Sequence, residues 1–69
     1  MDYCFACDKL ILVPNPKQAW TADPQMQHVG ANCFAKIKAG GTDGWQPPKG
    51  GPRLFATLEL AKAYIARND

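Results

Sequence analysis

Two cysteines three positions apart, Cys4 and Cys7, stand near the start of a 69-residue chain, and a third, Cys33, stands alone near its middle. No other feature constrains the fold as tightly. The C-x-x-C spacing is what a tight backbone knuckle needs to aim two thiolates at one ion. A chain this short needs such a staple, because below roughly 70–80 residues a single core rarely supplies more than about 3–5 kcal/mol. Disulfides are a poor alternative here. Three is an odd number, and the polar start Met1-Asp2 does not read as an export signal. No apolar run approaches the ~20 residues that span a bilayer. The expected setting is therefore the cytoplasm, with no membrane contact.

Along the chain the knuckle leads into the apolar run Leu10 to Val13, a short strand that Pro14-Asn15-Pro16 breaks. Gln18 to Ala22 and Gln25 to Val29 flank Asp23-Pro24 and read as a hairpin. Alternation puts Trp20 and Ala22 on one face of its first strand, and Met26 and His28 on one face of its second. A helix is expected from about Cys33 to Ala39, with Asn32 as N-cap, Phe34 and Ile37 on its buried face and Gly40-Gly41 as its stop. Thr42 to Pro52 reads as a loop. Leu54-Phe55 returns to the core, and Thr57 caps a second helix that runs to about Arg67. Leu58, Ala61, Tyr64 and Ile65 form its apolar stripe. The expected fold is a single small α+β domain stabilised by zinc. Residues 1–40 hold the knuckle, hairpin and first helix, 41–56 the Gly/Pro loop, and 57–68 the C-terminal helix.

Cys33, at the start of a helix, sits where the dipole favours the thiolate that a metal requires. Structural zinc takes four tetrahedral ligands, and three cysteines leave one place open. His28 is the only histidine and precedes Cys33 by five residues across the flexible Gly30. The expected site is thus one Zn²⁺ held by Cys4, Cys7, His28 and Cys33. Asp23 and water compete for the fourth place, and iron is an alternative to zinc in a thiolate-rich site. Bound structural zinc is worth roughly 10–16 kcal/mol at neutral pH, more than a core of this size provides.

The pattern Cys4-x-x-Cys7, Leu10, Val29-Gly30-x-x-Cys33, Lys36-Ile37 and the string Gly44 to Phe55 (GWQPPKGGPRLF) resembles small, mostly uncharacterised proteins carried by bacteriophages and prophages. The resemblance spans most of the chain and is most specific from Trp45 to Phe55. A knuckle, a hairpin and a helix with a ligand at its start also resemble the treble-clef zinc fold. Treble clefs often place two cysteines in that first helical turn, and here Gly30 stands at the earlier position. What the phage resemblance implies is an accessory protein acting in a bacterial host cell.

The net charge of +2 is too small to announce a nucleic-acid binder, yet the middle of the chain is basic: Lys36, Lys38, Lys49 and Arg53 against Asp43 alone. Trp45 offers a stacking surface or a protein anchor, or it simply covers the metal site or the second helix. Two functions compete. One is a non-catalytic module binding nucleic acid through Lys36, Lys38, Lys49 and Arg53. The other is an effector docking on a host bacterial protein through the Trp45–Arg53 loop. Catalysis is not expected, because the chain has no serine and its one histidine is assigned to the metal.

Overall fold

The protein begins with two very short paired strands around the knuckle. In the computed structural model, which describes residues 2–68, β1 (Asp2–Tyr3) pairs antiparallel with β2 (Leu10–Ile11), with Tyr3 opposite Leu10. The loop between them is the C-x-x-C turn. It is held by Cys4 N–H donating to the Lys9 carbonyl (2.9 Å) and Asp8 N–H donating to the Cys4 carbonyl (2.8 Å). Asp8 takes the left-handed conformation (φ 63°) that closes this turn, one of the few that an aspartate tolerates. The strand ends earlier than the apolar run does. Leu12 and Val13 have no partner strand and stand 83% and 57% exposed.

The hairpin forms as expected, as β3 (Lys17–Thr21) and β4 (Met26–Val29), with Lys17 opposite Val29 and Trp20 opposite Met26. The expected alternation holds along its first strand. Ala19 and Thr21 point into the core, whereas Trp20 and Ala22 are only half-buried. The reason is a third strand, β5 (Leu54–Phe55), which pairs with β3 to give the order β4-β3-β5. A two-stranded hairpin has no prescribed inner face. Once α1 packs on the face that Leu54 shares with Ala19 and Thr21, small residues line the central strand there, whereas Phe55 shares the opposite face with Trp20 and meets Tyr64 of α2.

Helix α1 (Ala31–Ala39) starts two residues before the expected position. Gly30, not Asn32, is the N-cap, and no side chain caps the helix. Cys33 remains in its first turn, buried with Ile37, while Phe34 is half-buried. Gly40 ends the helix, and a 3-10 turn, Gly41–Asp43, follows inside the segment expected to be irregular. Helix α2 (Leu58–Arg67) has the expected bounds, and Thr57 Oγ1 accepts the Leu60 N–H at 3.2 Å.

The Gly/Pro segment is a closed loop. Trp45 and Leu54 exchange both backbone hydrogen bonds at 2.8 Å, so residues 46–53 form a lariat with its neck at the core. Pro47 to Gly50 makes a tight turn, with Gly50 N–H donating to the Pro47 carbonyl (3.0 Å) and Gly50 at φ +79°. The lariat lies against the knuckle: Lys49 pairs with Asp8, and Gly51 packs beside the Phe5 ring.

Buried apolar residues are few. Val29, Ile37, Leu54 and Phe55 are wholly enclosed, and the other buried apolar positions are Ala6, Ala19, Ala61, Cys4, Cys33 and Pro47. At about 1.5–3 kcal/mol for each large side chain, four such residues make a thin core for a chain that must order nearly seventy. Among the described residues, no helix is long and apolar enough to cross a membrane.

Candidate metal centre

The knuckle and α1 bring the three cysteines together. Their Sγ atoms lie within 4.8 Å of one another. Three thiolates about 2.3 Å from one tetrahedral ion would sit about 3.8 Å apart, a small side-chain rotation from that spacing. Cys4 and Cys33 are buried, and Cys7 is half-buried. All three are free thiols.

The backbone prepares the site for negative charge. Gly30 N–H, at the mouth of α1, donates to Cys4 Sγ at 3.3 Å, which is what its place as N-cap makes possible. Phe5 N–H donates to the His28 carbonyl (2.9 Å), tying the knuckle to β4. Burial pushes the Cys4 thiol up. The backbone hydrogen bond from Gly30, the Cys7 thiol, and the backbone of Cys7 and Ala6 outweigh it and bring Cys4 down to about 7. Cys33 goes the other way, to about 12, through burial first and then through the neighbouring Cys4 and Cys7. One thiolate is therefore welcome in this pocket and a second is resisted. A divalent cation is the group that lets all three ionise together.

His28 is not brought to the cluster. Val29 points into the core, so its neighbour His28 points to the opposite face of β4. There its Nδ1 lies 3.4 Å from Asp2 Oδ2, in a shallow depression with Tyr3, Phe5 and Met26. The structure does not bring the expected fourth ligand to the cysteines. Sharing a face with exposed Met26 was in fact the sign that His28 looks outward. Asp23 is at the exposed hairpin tip, where Thr21 Oγ1 donates to its carbonyl. Among the described residues, the set that closes on the cluster consists of the three cysteines alone.

The remaining expected contact residues divide. Lys36 and Lys38 are exposed on α1. Lys49 and Arg53 are used inside the chain, Lys49 against Asp8 and Arg53 Nη1 donating to the Asp43 carbonyl at 2.7 Å. Trp45 is half-buried against the core, its backbone bridged to Leu54. Two groups escaped the sequence reading. Lys17 and Lys38 both bring their ammonium groups to the Phe34 ring, at 5.9 and 6.0 Å from its centroid. Lys9 and Lys17, with Leu10 to Val13, line a cleft of about 370 Å³ that opens on all three cysteines. The spacing Lys9 to Val13 carried a signal, since the run is more apolar than a two-residue strand requires. No protein family, curated protein or solved structure matches the chain.

Proposed function

We propose that this chain is a non-catalytic, treble-clef-like zinc module that binds nucleic acid through the lysine face of α1 and β3. One observation carries the reading: Lys17 and Lys38 flank the half-buried Phe34 ring, with Lys36 on the same helix. Among the described residues, no acidic side chain pairs with any of the three lysines. Unpaired ammonium groups beside an aromatic ring are suited to phosphates and an unstacked base. Lys49 and Arg53 on the loop have partners of their own, which favours Lys17 as the cation beside α1.

Zinc is favoured over other ions by the donor set, three thiolates in a small domain that needs a staple. A structural role is supported by the donor set, since among the described residues no histidine or carboxylate joins the three cysteines. The phage resemblance makes the cytoplasm of a bacterial host the proposed setting.

Fluorescence anisotropy with labelled single- and double-stranded oligonucleotides tests the reading. Two lysine–phosphate contacts, from Lys17 and Lys38, give a slope of log K on log salt of about −1.4 for single strands and about −1.8 for duplex. Replacing Lys38 by alanine removes about one contact from that slope. An absence of salt-sensitive binding at micromolar protein would reject the proposal. A host-protein partner is the second reading, favoured by the exposed Leu12, Val13 and Tyr3 around the knuckle.

A further inference from the structure

We infer that the fourth coordination position of the metal is filled from outside the chain, by the thiolate of a small anionic thiol seated in the Lys9–Lys17 cleft. The inference rests on the zinc reading and deepens it. Tetrahedral zinc needs a fourth donor, and the described residues that close on the site supply three. The shared side of those three thiolates is not sealed by protein. It gives onto a cleft of about 370 Å³, within the range of roughly 300–1,000 Å³ that small-molecule sites occupy.

The walls select the occupant. Leu10 and Ile11 offer an aliphatic surface next to the cysteines, and the side chains of Lys9 and Lys17 line the same cleft. An ion bound by three thiolates favours a soft donor over a hard oxygen. Zn²⁺ with three thiolates carries a net charge of −1. A thiol that binds as its thiolate and also bears a carboxylate adds two negative charges, which two lysines at the cleft are placed to offset. An alkyl segment of two or three carbons between sulfur and carboxylate would lie along the aliphatic wall. On binding, the thiol's proton goes to solvent, one Zn–S bond forms, and a water or other weak donor leaves; no electron changes hands.

Cobalt(II) in place of zinc gives a visible spectrum that reports the donor set. The full chain, loaded with one cobalt, is titrated with 3-mercaptopropionate, with 2-mercaptoethanol and with propionate, and metal content is checked after gel filtration. The expected result is a saturable shift of the cobalt bands with both thiols, tighter for mercaptopropionate, and no shift with propionate. Lys9→Met should retain one cobalt and reduce the preference for the anionic thiol by up to about fivefold. One cobalt bound with a spectrum indifferent to both thiols would overturn this inference alone, as would a fourth donor that appears with rising protein concentration and so comes from a second copy. Failure to take up cobalt or zinc at all would overturn the metal reading beneath it.

Discussion

Removing the metal should unfold this protein, and the size of the effect follows from how little else holds it. Only Val29, Ile37, Leu54 and Phe55 are large, wholly enclosed side chains. The metal half of the domain relies on Cys4, Ala6 and Cys33 where a larger domain would place leucines. Domains have net stabilities of about 5–15 kcal/mol, and a structural zinc site in a small peptide contributes roughly 10–16 kcal/mol. A zinc ion held by the three cysteines would therefore account for as much as the whole net stability. At free zinc a thousandfold above Kd, occupancy alone adds about 4.1 kcal/mol. With each kcal/mol moving the Tm of a domain of this size by about 4–8 °C, that is a shift of about 16–33 °C. The assay is thermal unfolding by circular dichroism in reducing buffer, with the natively purified chain, after a strong chelator, and after stoichiometric zinc is restored. The chelated chain should lose its cooperative transition, and one equivalent of zinc should restore it. A chelated, metal-free chain that melts cooperatively at the same temperature would refute the reasoning.

His28→Ala should leave the zinc stoichiometry at one and cost no more than about 1 kcal/mol, because the residue faces Asp2 at an exposed site and not the cysteines; metal analysis and a melt check both. Gly44→Ala should destabilise the zinc-loaded domain by about 1–3 kcal/mol, read as a fall in Tm. Gly44 sits at φ +77°, and a Cβ there would lie 2.8 Å from the Phe55 ring. Zinc affinity should fall on acidification. With Cys4 at about 7 and Cys33 at about 12, both bind a proton below pH 7 that zinc must displace. Apparent affinity should then drop by at least about 100-fold per pH unit well below 7, Cys4 and Cys33 releasing one proton each on binding. Competition against a chromophoric chelator between pH 5.5 and 7 measures the slope.

The legible features were those set by local chemistry. The C-x-x-C knuckle and Cys33 in the first turn of a helix meet because turn geometry and the Gly30 bend are short-range properties, and the structure brings their sulfurs together. Thr57 and the stripe through Ala61 and Tyr64 indicated α2 and its cap, since capping and 3.6-residue periodicity need no distant partner. The string of glycines and prolines announced a loop for the same reason. Tertiary structure alone decided what faces what. An isolated strand alternates without saying which side is inside, so the choice of Val29 over His28 and of Ala19 over Trp20 awaited α1 and Leu54 of β5 closing on one face. Likewise Lys49 and Arg53 read as free cations until the Trp45–Leu54 bridge folded the loop back on the knuckle, where Asp8 and the Asp43 carbonyl, 41 and 10 residues away in the chain, were waiting.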